Sequence, residues 1–259
     1  MRILVCVKQV PDRESTFRVD EDGKGFDEAG TLFRMNSYDE YAVEEAVRIK
    51  EERSQVEITA LTVGPGRAEA VVRRAMELGA DHGAHLLTGS GQGMDSLQTA
   101  SRVASFAKEK GFDLILCGVM SEDEQCCQTG PMVAVLLGLP YATTVIAERI
   151  LEGEQRVRVE RELEGGRRQV VELPLPAVLT VQSGINEPRY PTLPGIMKAK
   201  KKRLDVKKAA DIGASAKSKT DFIKMFFPVS DHKAEILQGD AATVAAKLVE
   251  KLKNEAKVI

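Results

Sequence analysis

Short apolar runs of strand length alternate along most of the chain with longer segments in which apolar residues recur every three or four positions. The runs Ile3 to Val7, Val56 to Val63, Ala84 to Leu87, Asp113 to Cys117 and Thr143 to Ala147 predict strands. Between them, Tyr38 to Arg53, Ala68 to Leu78, about Ser96 to Lys110 and about Gln128 to Leu137 predict helices. Strands that read as continuous apolar runs are buried on both faces, and helices between them supply the cover. The pattern therefore predicts an α/β fold, a doubly wound, mostly parallel sheet. Its ligand crevice belongs beyond the carboxyl ends of the strands, where the chain leaves the sheet for each helix.

From Ile150 to Glu172 charged residues interleave with valines around Glu164-Gly165-Gly166, which predicts a β-hairpin decorating the parallel core. Leu173-Pro174-Leu175-Pro176 then leads into a further buried strand, Ala177 to Val181. In Asn186 to Lys202, Pro188, Pro191 and Pro194 fix their own φ and push the preceding residues out of helical geometry. The expectation is a stiff, extended loop in which Leu193 and Ile196 have no helix or strand face. Lys198, Lys200, Lys201 and Lys202 then lie outside any regular element. Beyond Arg203 the composition turns polar and alanine-rich, with a last amphipathic helix from about Ala241 to Lys253. A nucleotide-binding domain is expected over 1–205, including a 186–203 partner-recognition loop. An arm is expected over 206–259, and its helix needs a surface on which to dock.

A chain of 259 residues, 43% hydrophobic, can bury a substantial core. A net charge of −2 makes the lysines near Lys200 a local feature rather than part of a nucleic-acid-binding field. No apolar run approaches the ~18 residues of a membrane span. Met1-Arg2 leads directly into a strand rather than a signal peptide, so the cytoplasm, or the mitochondrial matrix in a eukaryote, is expected. Cys6, Cys117, Cys126 and Cys127 have no CxxC spacing and read as free thiols. His82 and His85 gain no zinc-ligand spacing from the cysteines, His232 stands alone, and no metal is expected. Gly89-Ser90-Gly91-Gln92-Gly93 lacks dinucleotide-binding spacing, and neither a Ser-His-Asp arrangement nor a P-loop occurs.

The candidate chemistry gathers at strand ends. Gly118 to Pro131 follows an apolar strand and opens a helix. Glycine admits close backbone approach, and a helix start offers unpaired N–H groups to an anion, so Thr129 and Gly130 would face a phosphate. Glu122, Asp123 and Glu124 would repel it at close range and are expected to meet ribose hydroxyls or solvent. An alternative is a solvated loop with Thr129 capping its helix. Ser37 and Glu40 have capping-box spacing, which leaves Asn36 the residue of that stretch least explained by capping. Val63-Gly64-Pro65-Gly66 borders the same crevice, either admitting an adenine or simply making a turn.

NEPRYPTLPGIMKAKKK (Asn186 to Lys202) and VRVERELEGGRRQVVELPLPAVLTV resemble signature stretches of the electron-transfer flavoprotein β subunits, and looser similarity extends roughly from Met1 to Leu252. The resemblance implies a heterodimer with an α subunit that holds most of the redox-active FAD. It implies an electron carrier rather than an enzyme, running from flavin dehydrogenases such as acyl-CoA dehydrogenases to a quinone oxidoreductase. AMP is implied as a structural ligand, held by Cys6, by Asn36, Ser37, Tyr38 and Asp39, by Val63, and by Gly118 with Glu122, Asp123, Glu124, Gln125, Cys126, Cys127, Gln128 and Thr129. Cys127 stands where many relatives carry asparagine. Leu193 is the implied anchor on the client, flanked by Pro194, Ile196, Met197, Lys198 and Lys200. Two alternatives remain: an electron-bifurcating β subunit with a second FAD in place of AMP, and an adenine-nucleotide-sensing domain outside the family.

Overall fold

The computed structural model describes residues 1–89, 94–151, 153, 155–212, 216–229 and 234–259. Ser90 to Gly93 of the glycine cluster and His232 lie outside the described residues. The chain forms two compact units, Met1–Lys224 and Met225–Ile259.

In chain order the first unit comprises β1 (Arg2–Cys6), β2 (Gln9–Pro11), β3 (Phe33–Met35), α1 (Ser37–Glu52), β4 (Glu57–Gly64), α2 (Glu69–Leu78) and β5 (His82–Leu87). It continues with α3 (Ser96–Lys110), β6 (Leu114–Gly118), α4 (Thr129–Leu137), β7 (Tyr141–Leu151), β8 (Arg156–Leu163) and β9 (Arg167–Pro174). It closes with β10 (Ala177–Val181), α5 (Leu193–Lys201) and β11 (Leu204–Lys208). The second unit carries α6 (Ala241–Asn254), none of whose residues is buried.

Among the described residues the main sheet runs β11-β5-β4-β1-β6-β10-β7-β8-β9, parallel from β11 to β7 and antiparallel beyond. Alternation along each strand splits the core. Ile3, Val5, Ile58, Leu114 and Leu116 pack on the face of α1 and α2. Leu4, Leu61 and Ile115 pack on the face of α3 and α4. Both faces are covered, as the unbroken apolar runs require. The chain moves from β1 to β4 and β5, then returns to lay β6 on the other side of β1. That reversal is the topological switch point, and it opens a crevice at the carboxyl ends of β1 and β6.

The hairpin turns at Glu164–Gly166, where Gly165 and Gly166 have φ of 73° and 71°, a left-handed conformation costly for other residues. β7 is longer than its apolar run because its second half pairs with β8.

Two local expectations fail. The segment after Pro191 is not an extended loop: Leu193 to Lys201 is helical, with Thr192 Oγ1 accepting from the Gly195 N–H at 3.2 Å. Pro194 sits in the first turn, where its missing N–H removes no intrahelical bond. The Ser37–Glu40 capping box is also absent, since α1 has Asn36 at its N-cap and no side-chain cap bond. A capping box does form at α3, between Asp95 and Gln98.

Candidate functional site

At the switch point one carboxylate ties the strand ends together. Asp39, in the first turn of α1, accepts from the Lys8 N–H just past β1 at 2.7 Å and from the Gly118 N–H ending β6 at 3.1 Å. Burial pushes its pKa up to about 7 against the pull of those bonds and of Asn36. Gly118 is required here, because a Cβ would lie 2.4 Å from Asp39 Oδ1 and 2.7 Å from Tyr38 Cβ. Cys6 follows at the end of β1. Its thiol is held well above the usual range, chiefly by a hydrogen bond with Cys117 and then by burial.

The loop from Val119 to Gln128 is braced from below. Asn36, almost fully buried, donates from Nδ2 to the Met120 carbonyl at 2.9 Å and accepts at Oδ1 from the Glu122 N–H at 3.1 Å. Of the three acids, Glu122 is half-buried, while Asp123 and Glu124 are exposed, and all three are also ion-paired. Glu122 pairs with Arg34 at 2.7 Å and Arg13 at 3.1 Å, while Lys8 Nζ reaches Asp123 at 2.9 Å and Glu124 at 3.4 Å. Arg34 also donates to Ser37 Oγ at 2.8 Å. The cations offset part of the acids' charge, with Arg34 shared between Glu122 and Asp12, the latter at 3.5 Å. Arg13 and Arg34 carried no sequence signal for this role, since ion pairs leave no periodic trace.

Gln125 and Cys127 have φ of 53° and 55°, a left-handed geometry uncommon outside glycine. With Cys126 and Gln128 they are exposed, and Thr129 is half-buried at the start of α4. Gln128, at the N-cap of α4, makes no side-chain cap bond, and the alternative of Thr129 as the cap is not what forms. The first-turn N–H groups therefore lack a capping side chain, as an anion-accepting helix start would. Gly130 also meets a packing need: a Cβ there would lie 2.4 Å from Thr180 Cγ2, so its glycine serves the seating of α4 on β10. Half-buried Val63 closes the neighbouring strand end, and a Cβ on Gly66 would meet nothing within 4 Å.

A second surface lies on α5. Tyr190, Leu193 and Met197 are 88%, 77% and 66% exposed. Leu193 and Met197 stand one turn apart on one helix face. Pro194 is exposed beside them, Ile196 is half-buried, and Ala199 is buried toward the core. Lys198, Lys200 and Lys201 are exposed, but Lys202 is not one of the free lysines: half-buried, it donates to the Ala80 carbonyl at 2.6 Å. Tyr190 carried no more sequence signal than any surface tyrosine; its exposure just ahead of α5 is what marks it.

Among the described residues no three His, Cys, Asp or Glu side chains gather as a metal site, and no helix is long and apolar enough to cross a membrane.

The family model described as the electron transfer flavoprotein domain matches residues 24–212. The chain is 42% identical over 230 residues to the electron transfer flavoprotein subunit beta of Mus musculus, covering 88% of this chain and 89% of that one. It is 38% identical over 259 residues to the same subunit of Bradyrhizobium diazoefficiens, covering both chains fully. Identity to the Methylophilus methylotrophus subunit is 35% over 257 residues, 96% and 97% of the two chains.

Proposed function

The chain belongs to the electron transfer flavoprotein family, as a relative of its β subunits, and on that premise we propose that it is the nucleotide-holding, partner-docking half of an electron carrier. The carrier is a heterodimer with an α subunit. FAD, held mainly by α, supplies the one- and two-electron chemistry, while this chain supplies position and environment. AMP occupies the crevice at the β1 and β6 ends. The observation that carries this reading is the uncapped start of α4 beside acids that are paired with Lys8, Arg13 and Arg34. One phosphate would accept from the first-turn N–H groups near Thr129, with the adenosine toward Cys6 and Val63.

The exposed face of Leu193 and Met197 docks flavin dehydrogenases such as acyl-CoA dehydrogenases, and the exposed lysines steer the encounter. Electrons leave toward a quinone oxidoreductase. The arm, with Phe226, Phe227, Leu248 and Val249 exposed, docks on the α subunit. The carrier works in the cytoplasm, or in the matrix of a eukaryote. Acid extraction and chromatography of the co-expressed heterodimer test the reading, with about one FAD and one AMP expected by one ligand per crevice. Two FAD and no AMP would make it a bifurcating protein. A colourless chain, stable without an α partner, would make it a nucleotide sensor.

A further inference from the structure

The helix that presents Leu193 has little apolar anchoring of its own. It has nine residues, below the length at which isolated helices persist, and only Ala199 is buried. Polar contacts hold it at both ends. Downstream, Lys202 donates to the Ala80 carbonyl, while in the first turn Gly195 seats the helix so close to α2 that a Cβ would come 2.7 Å from the Glu77 carbonyl oxygen. Upstream, Arg189 grips two carboxylates of α1. Its Nε and Nη2 donate to Glu44 at 2.8 and 2.9 Å, and its Nη1 and Nη2 donate to Glu51 at 2.5 and 2.9 Å. Its backbone N–H adds a contact to Glu44 at 3.3 Å. Asn186 supports the grip by donating to the Tyr41 carbonyl at 3.0 Å and Glu45 at 2.7 Å.

Glu44 and Glu51 lie two turns apart on one face of α1, so a planar guanidinium can span both. Most surface ion pairs contribute little, because two flexible side chains must be ordered in water. This one differs: both contacts are two-pronged and Glu44 is buried.

We propose that Arg189 is a positioning residue for client docking, whose clamp on Glu44 and Glu51 pre-sets α5 so that Leu193 and Met197 meet a client already oriented. The proposal rests on reading the α5 face as the docking surface. Pre-organisation acts by removing an ordering cost that binding would otherwise bear. Loss of the clamp then weakens docking without touching the electron-transfer step.

The test uses the complete heterodimer as the varied substrate of a client dehydrogenase. In Arg189→Gln the KM for the carrier should rise about tenfold with kcat unchanged, a loss of binding alone. The salt dependence of the on-rate should stay as in wild type, because the encounter lysines are intact. Amide exchange across residues 193–201 of the free heterodimer should accelerate, while nucleotide and flavin content hold. Arg189→Lys, which keeps the charge but loses the fork, should fall between. Glu51→Gln leaves the Glu44 contact and should give a smaller change of the same sign, which keeps the test open if Arg189→Gln folds poorly. A fall in kcat and cofactor content together with KM in both Gln variants would overturn the proposal in favour of a merely structural role. Faster exchange with an unchanged KM would also overturn it. Leu193→Ala then separates the two readings: slowed client kinetics keep the docking surface, and normal kinetics remove it as well.

Discussion

Leu193→Ala isolates the contribution of the α5 face because the side chain does almost nothing for the free fold. At 77% exposure it shields little apolar surface within this chain, so its truncation leaves no cavity and the melting temperature should stay put. In a docked complex the same exposure becomes surface to bury. Leucine exceeds alanine by three carbon groups, at about 0.8 kcal/mol per buried group. Scaled by the exposed fraction, the loss is about 2 kcal/mol, or roughly thirtyfold in affinity. Thr192 still caps α5 and Gly195 still rests on α2, so helix and cofactors should persist. Stopped-flow reduction of the heterodimer by a client dehydrogenase at varied carrier concentration measures the effect. A wild-type concentration dependence would refute the assignment of this face to docking. Slower transfer accompanied by early melting would show that the exposure is not what sets the leucine's role.

Neutralising Lys198, Lys200 and Lys201 to glutamine, with Lys202 left in place, should lower the client on-rate and flatten its salt dependence at constant stability; including Lys202→Gln should cost stability, because that side chain holds the Ala80 carbonyl. Gly130→Ala should destabilise the first unit by about 1–3 kcal/mol in denaturant titration, through overpacking against Thr180 Cγ2, and Thr180→Ser should recover part of it. Burial and then the neighbouring charge of Glu45 push Glu148 from 4.5 to about 8, and burial pushes Asp39 from 3.8 to about 7. The folded state therefore holds protons that the unfolded chain releases at lower pH, so this contribution to stability is complete below about pH 4 and lost as pH rises through 7 to 8. Melting temperatures should fall across that window, and Glu148→Gln should flatten the decline; an identical slope in the variant would reject the assignment.

The alternation of apolar runs and helical stripes determined the doubly wound sheet, because burial on both faces is written into each strand by itself. Val56 to Val63 and Ser96 to Lys110 needed no distant partner to be read. The glycines of Glu164-Gly165-Gly166 likewise fixed the hairpin turn locally. β11 was missed because Leu204 to Lys208 is mostly charged, an edge strand whose identity comes from pairing with β5. α5 was misread for a related reason. Three prolines argue for extended backbone locally, and only the Thr192 cap and the seat of Gly195 against Glu77 make the last of them a helix start. Within the crevice, the sequence marked the loop after Gly118 but not its supports. Asp39 joins the ends of β1 and β6, Arg34 and Lys8 pair with the loop acids, and Arg189 grips Glu44 across 145 residues of chain. A hydrophobic period repeats and can be counted along the chain, whereas a single ion pair or a close Cβ approach occurs once, between residues that only the folded topology brings together.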